Sequence, residues 1–244
     1  MFIDERPLQW VYPACATVAL LIALLLPSAA KTMPVASRQT YWILQAITLV
    51  GAVIGAKIAM LAGDLGWPHT AISLDQVIFS GKSVVGGLLG GFIAAELAKR
   101  PLGYGQPPND WFATKLVLSI LIGRVGCLLA GCCRGAPASW GIGYSDGILR
   151  VPIPLFEIVF HAGLFGAFCL AYRRGLLQGR LFALYMIVYG VFRAVLEPWR
   201  DTPKFLGGFS VYQGLALCLI GAGIVSMKMR TREVAIHDQR SLHQ

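Results

Sequence analysis

The stretch GRVGCLLAGCCRG, running from Gly123 to Gly135, sets an arginine inside an otherwise apolar run. Arg124 is followed by three closely spaced cysteines and a glycine-rich exit. An ionised guanidinium in hydrocarbon costs several kcal/mol, so a chain keeps one there only with a partner or a purpose. A second apolar segment, YMIVYGVFRAVLEPWRD from Tyr185 to Asp201, repeats the pattern with Arg193 and Glu197. These two runs imply a polytopic membrane protein with a polar, arginine-lined cavity. Its ligand is expected to be anionic, with a phospholipid headgroup the best fit.

Composition agrees. Of 244 residues, 56% are hydrophobic and 14% charged, where a soluble domain carries roughly 25% charged residues. The apolar excess is too large for one soluble core and suits several bilayer spans of about 20 residues each. The N-terminus, MFIDERPLQW, begins acidic without a basic region, so no cleavable signal peptide is expected and the first apolar run is a retained helix. Seven helices are predicted, at Trp10–Ala30, Tyr41–Ala62, Val84–Leu97, Trp111–Ala130, Pro154–Tyr172, Leu181–Leu196 and Phe209–Met227. The expected fold is thus all-α, a single integral membrane domain over residues 1–244 with seven transmembrane helices. Gly86, Gly87, Gly90 and Gly91 in the third helix favour close packing in lipid.

The net charge of +9 is distributed by topology. With alternating helices, Lys31, Arg38, Lys99, Arg100, Arg173, Arg174, Arg180, Lys228, Arg230, Arg232 and Arg240 fall on one side, and Arg6, Lys82, Arg134, Arg150, Arg200 and Lys204 on the other. Eleven against six is a positive-inside bias that puts the N-terminus outside and the C-terminus inside. Arg150, Arg200 and the exit beyond Arg124 then lie at the outer face. No aromatic-interleaved basic surface remains, so nucleic acid is excluded as a partner.

Four basic residues sit within spans: Lys57, Lys115, Arg124 and Arg193. Lys115, close to the inner end of its helix, is expected to snorkel to the interface. Lys57 is expected to pair inside the bundle. Glu197 lies one helical turn from Arg193, so the two can face the same way. Glu157 opens the fifth helix on the outer side. This set is either an ion-pair network that locks the bundle or, since arginines outnumber acids, a phosphate site read by bidentate guanidinium groups. Cys15, Cys169 and Cys218 are expected to be small packing residues. For Cys127, Cys132 and Cys133, packing, a disulfide or a reactive thiol all stay open. Their spacing matches no zinc pattern, so no metal and no cofactor is expected. His161 is expected to be a satisfied polar residue.

At these residues the chain resembles the bacterial prolipoprotein diacylglyceryl transferases, a family of seven-helix inner-membrane proteins. GAVIGAK (Gly51–Lys57) is similar to the family's glycine-rich second helix, and GKSVVGGLLGG (Gly81–Gly91) to its Phe-His-Gly-Gly-Leu-x-Gly segment. GRVGC (Gly123–Cys127) resembles the signature Gly-Arg-x-Gly-Asn. RVPIPLFE (Arg150–Glu157) is similar to Arg-His-Pro-x-Gln-Leu-Tyr-Glu, and YGVFRAVLEPWRD (Tyr189–Asp201) to Tyr-Gly-x-x-Arg-x-x-x-Glu-x-x-Arg. The resemblance implies phosphatidylglycerol as donor and the cysteine thiol of a prolipoprotein signal peptide as acceptor. It implies Arg124, Arg193, Glu157 and Glu197 as catalytic residues, and Arg124, Arg150, Arg193, Arg200, Gly86, Gly87 and Cys127 as substrate-binding ones.

The departures bear on the chemistry. Family histidines are Val85 and Val151 here, the signature asparagine is Cys127, a following glutamate is Cys132, and the tyrosine before the last glutamate is Phe156. Valine moves no proton, so transfer to a lipoprotein thiol is expected to be weak or absent while phosphatidylglycerol binding is retained. Two other readings share the same residues: a phospholipid-binding or lipid-translocating protein without turnover, and a thiol-redox membrane protein using Cys127, Cys132 and Cys133.

Overall fold

A computed structural model of the chain describes residues 10–25, 35–64, 83–104 and 110–241. Among them are seven helices: α1 (Val11–Leu25), α2 (Val35–Asp64), α3 (Val84–Lys99), α4 (Asp110–Leu129), α5 (Ile153–Arg173), α6 (Leu181–Leu196) and α7 (Val211–Ser241). Each overlaps one helix expected from the sequence. Five apolar stretches are long enough to cross a membrane: Arg38–Gly63, Asp110–Leu129, Ile153–Arg173, Leu181–Trp199 and Val211–Arg230. The apolar part of α1, Val11–Ala23, and the 16-residue α3 are shorter. The chain is therefore nearly all helical and built for a bilayer. It divides into two compact units.

The first unit comprises Met1–Ser28, Asn109–Leu181 and Pro198–Asp201. Here α4 packs on α1 and on α5. Polar side chains of α4 reach back-bone carbonyls of α1: Ser119 Oγ donates to Ala19 O at 3.0 Å and Lys115 Nζ to Ala23 O at 3.2 Å. Lys115 is thus buried at 3% exposure and does not snorkel to the interface as expected. The carbonyls at the end of α1 have no further helical donors and accept its charge instead. Farther along, Gly126 lets the helices close up, because a Cβ there would stand 2.7 Å from Cys15 Cβ. Asp110 caps α6 from a distance, accepting from Gly179 N at 2.5 Å and Leu181 N at 3.1 Å. A carboxylate at a helix N-terminus satisfies orphan amides and complements the helix dipole.

Between α4 and α5 runs an antiparallel hairpin, β1 (Pro137–Gly143) and β2 (Leu149–Arg150). It is absent from the all-helical expectation. Its turn is closed by Gly147 N donating to Tyr144 O at 3.0 Å, with Gly147 at φ +75° and Asp146 Oδ1 accepting from Ile148 N. Tyr144 is buried beneath it, and the Arg134 guanidinium lies 4.6 Å from its ring centroid. Gly135 bridges antiparallel to Arg200, and Ala136 N donates to Trp199 O at 2.8 Å. That bridge fixes the segment carrying Arg200 beside the entry to α5.

The second unit comprises Ala29–Pro108, Phe182–Glu197 and Thr202–Gln244. Its tightest seam joins α2 to α3. Gly51 and Gly55 face Gly86 and Gly90, two glycine pairs at four-residue spacing. A Cβ on Gly55 would stand 2.4 Å from Gly86 O, and one on Gly90 2.3 Å from Gly51 O. This is the small-residue packing that drives helix association where lipid removes the hydrophobic incentive. Ser83 caps α3, accepting from Gly86 N at 3.2 Å. Gly190 of α6 and Gly223 of α7 make similar close approaches, to Ala216 O and Ala183 O respectively.

Candidate functional site

The arginine that marks the fourth apolar run is buried, and so is the acid it meets. Arg124 is 7% exposed and Glu157 0%. Arg124 Nε pairs with Glu157 Oε2, and Arg200 Nη1 donates to Glu157 Oε1 at 3.2 Å. Each carboxylate oxygen thus meets a different guanidinium. The three side chains come from α4, from the second turn of α5 and from the turn after Trp199, and together they carry a formal charge of +1. A buried charge without compensation is strongly destabilising, which explains why the carboxylate lies where two guanidinium groups converge.

Around this centre, outside the helices, lies a ring of solvated pairs. Arg150 bonds Asp201 at 3.2 Å and Asp146 at 3.1 Å, and Arg134 bonds Asp146 at 3.3 Å. The Ile148 amide, and then Arg150 and Arg134, hold the Asp146 carboxyl below its ordinary value. This rim keeps Arg134 and Arg150 at the entrance to α5, with Asp146 and Asp201 balancing their charge.

The cysteines also converge. At the end of α4, Cys132 N donates to Cys127 O at 3.1 Å and Gly131 N to Leu128 O at 3.4 Å, with Gly131 at φ +64°. This is a Schellman closure, which brings the residue after the glycine back onto the last turn. Cys133 follows at φ +58°, a left-handed backbone that costs a non-glycine residue about 1–2 kcal/mol. The result is that the sulfurs of Cys127, Cys132 and Cys133 all lie within 4.8 Å of one another. Cys133 Sγ is 4.0 Å from Cys127 Sγ and accepts from Arg124 Nη1 at 3.6 Å. Hydrogen bonds with the Cys127 and Cys132 thiols, then the charges of Arg124 and Arg200, hold the Cys133 thiol well below its ordinary range. All three are free thiols, so the disulfide left open by the sequence is not formed. Cys127 lies in this cluster, one turn along α4 from Arg124.

In the second unit, Arg193 Nη1 meets Glu197 Oε2 at 2.6 Å, as their spacing on one helix suggested. Glu197 Oε1 also accepts from Thr202 Oγ1 at 2.8 Å and Ser210 Oγ at 3.0 Å. Both Arg193 and Glu197 are buried. Thr202 and Ser210 carried no signal in the sequence, because hydroxyls after a helix end serve many roles. Gly86 and Gly87 lie on the α2-facing side of α3; a Cβ on Gly86 would stand 2.5 Å from Gly55 O, whereas one on Gly87 would have more room, 3.5 Å from Ala52 O. Val85 and Val151, at the positions of the family histidines, are 1% and 4% exposed. His161 Nδ1 is bonded to its own helix at Glu157 O, 2.7 Å away, the satisfied role expected of it.

Comparison with known proteins gives a consistent result. The family model for prolipoprotein diacylglyceryl transferase matches residues 3–229. The phosphatidylglycerol–prolipoprotein diacylglyceryl transferase 2 of Clostridium perfringens is 27% identical over 193 residues, covering 73% of this chain and 74% of its own length. The corresponding transferase of Clostridium tetani is 27% identical, covering 65% of this chain and 67% of its own. That of Symbiobacterium thermophilum is 29% identical, covering 78% and 77%. The match spans every motif that contributes to the Arg124–Glu157–Arg200 centre, and the chain belongs to the prolipoprotein diacylglyceryl transferase family.

Proposed function

We propose that this chain is a transferase that moves the diacylglyceryl group of phosphatidylglycerol to a thiol. The observation that carries the reading is the convergence of two guanidinium groups, Arg124 and Arg200, on one buried carboxylate. Guanidinium recognises phosphate bidentately, and a centre with a net positive charge is completed by an anion. In the reaction, the acceptor sulfur attacks the terminal glyceryl carbon of the diacylglyceryl group. A carbon–sulfur bond forms, and the bond from that carbon to the phosphate oxygen breaks. Glycerol phosphate leaves with the electron pair, and the thiol proton passes to solvent. Arg124 and Arg200 offset the charge that grows on the leaving phosphate. Arg150 draws the headgroup in from the rim. Arg193 is proposed as a further phosphate-binding arginine on the strength of its motif.

Glu157 and Glu197 act as positioning residues, because each is engaged by guanidinium groups and neither is disposed as a base. Gly86 and Gly87 contribute through helix packing, and Cys127 through the thiol cluster. Val85 and Val151 supply no base, so the acceptor must reach the site already ionised. The acceptor in the named relatives is a prolipoprotein, and a signal-peptide cysteine is the proposed acceptor here, modified slowly for want of a base. We place the chain in the bacterial inner membrane as one domain over residues 1–244, with seven spans, the N-terminus outside and the C-terminus inside, on the strength of the basic-residue asymmetry. A second reading, phospholipid binding without turnover, is favoured by the two buried valines. Expression in a strain depleted of its own transferase separates them. Rescue of growth with lipidated prolipoprotein supports transfer. Failure to rescue, with phosphatidylglycerol still bound by the purified protein, supports the second reading.

A further inference from the structure

The three sulfurs at the end of α4 have a geometry that packing alone does not require. Buried cysteines commonly serve as small apolar residues, but adjacent side chains such as those of Cys132 and Cys133 ordinarily diverge. Here the Schellman closure at Gly131 folds Cys132 back onto Cys127, and the left-handed backbone at Cys133 turns its sulfur the same way. Strained backbone of this kind persists where surrounding structure demands it, and it gathers at ligand sites.

From this convergence we propose that Cys127, Cys132 and Cys133 form a three-thiolate site for a soft d10 cation, monovalent copper. A metal–sulfur bond is about 2.3 Å for such ions, so three sulfurs in a trigonal plane stand about 4.0 Å apart. Cys127 and Cys133 are separated by 4.0 Å, and no pair in the cluster exceeds 4.8 Å. Small side-chain rotations therefore close the set on a common centre. Among the described residues no histidine or carboxylate joins the group. An all-sulfur set of three selects monovalent copper, whereas zinc asks for a fourth ligand. Three thiolates around a monovalent ion sum to −2, and the Arg124–Glu157–Arg200 centre, at +1, offsets part of that charge, with Arg124 Nη1 3.6 Å from Cys133 Sγ. Binding releases the thiol protons and ties the α4 terminus to the segment that leads into the hairpin. The site adjoins the transferase centre through Arg124, and its test reads metal binding rather than turnover, so its failure and the failure of the transferase reading are told apart.

The test uses the full-length chain, reduced and purified in detergent, and titrated with copper(I) buffered by a chromogenic chelator. The expected result is one copper per chain, a first shell of three sulfurs in X-ray absorption, and protection of Cys127, Cys132 and Cys133 from alkylation while Cys169 and Cys218 stay reactive. Cys133→Ser should weaken binding at least tenfold, and Cys169→Ser should leave it unchanged. The alkylation pattern is read on the unmutated protein, so it holds even if a serine variant misfolds. Absence of stoichiometric copper, a two-sulfur shell, or a preference for zinc over copper would overturn the proposal. So would alkylation of the three cysteines at an unchanged rate when copper is present.

Discussion

Replacing Glu157 by glutamine isolates the centre on which the functional reading rests. The two carboxylate oxygens serve different guanidinium groups, Oε2 for Arg124 and Oε1 for Arg200. Glutamine keeps one acceptor oxygen and puts an amide nitrogen, a donor, in place of the other. One guanidinium therefore faces a donor at a position with 0% exposure. The side chain of Arg200 is 13% exposed against 9% for Arg124, so the amide oxygen is expected to turn to Arg124, leaving Arg200 to swing towards water. Removing one member of a buried ion pair costs about 3–5 kcal/mol. The retained bond and the partial escape of Arg200 put Glu157→Gln near the lower end, about 3 kcal/mol. Glu157→Ala, which abandons both guanidinium groups, belongs near the upper end. The assay is reversible unfolding in mixed micelles, followed by tryptophan fluorescence. Asp146→Asn, in the exposed rim, serves as the contrast and should leave the unfolding midpoint nearly unchanged. Combining Glu157→Gln with Arg200→Gln should cost less than the sum of the single losses by at least about 0.5 kcal/mol. A Glu157→Gln loss under about 1 kcal/mol, or strict additivity with Arg200→Gln, would refute a shared buried centre.

Other expectations follow from neighbouring parts of the structure. Gly90→Ala should disrupt the α2–α3 seam, where its Cβ would stand 2.3 Å from Gly51 O, whereas Gly123→Ala, with nothing within 4 Å, should fold at wild-type yield; folded yield by size-exclusion chromatography decides it. Arg193→Lys keeps the charge but loses the planar guanidinium that Glu197 holds through Nη1, and should lower turnover by about tenfold or more at nearly unchanged yield, the equivalent of one charged hydrogen bond. With no histidine at Val85 or Val151, turnover should rise with pH as the acceptor thiol ionises, up to about pH 8.5; a pH-independent rate from 6 to 9 would point to a base within the protein. Reporter fusions at Arg38, Arg100, Arg174 and Arg240 should all read cytoplasmic, and an external signal at Arg240 would reverse the topology.

Much of the fold was legible because spans are written in runs of apolar residues, and each of the seven helices overlaps its expected segment. Helix ends were less so. The second helix begins at Val35 rather than Tyr41, since hydropathy marks where a helix is apolar, not where its hydrogen bonds start. The hairpin after α4 was missed, although Asp146–Gly147 is a turn dipeptide with a known mechanism. Arg193 and Glu197 could be paired from spacing alone, because a helix places residues four apart on one face. The pairing of Arg124 with Glu157 could not, since it depends on how two helices pack. Lys115 was misread for the same reason: the acceptor that holds it, Ala23 O, is 92 residues away. The convergence of the thiols was hidden by the positive-φ backbone at Gly131 and Cys133, which linear spacing does not reveal.

The Arg124–Glu157–Arg200 centre is proposed to grip the phosphate of phosphatidylglycerol during transfer to a thiol. It is tested most directly by purified protein, vesicles containing labelled phosphatidylglycerol, and a peptide bearing a signal-peptide cysteine, assayed at alkaline pH. The expected result is release of glycerol phosphate matched by thioether-linked diacylglyceryl peptide, with Arg124→Ala reducing both about a hundredfold or more while vesicle-bound protein stays folded. Equal turnover by wild type and Arg124→Ala would contradict it.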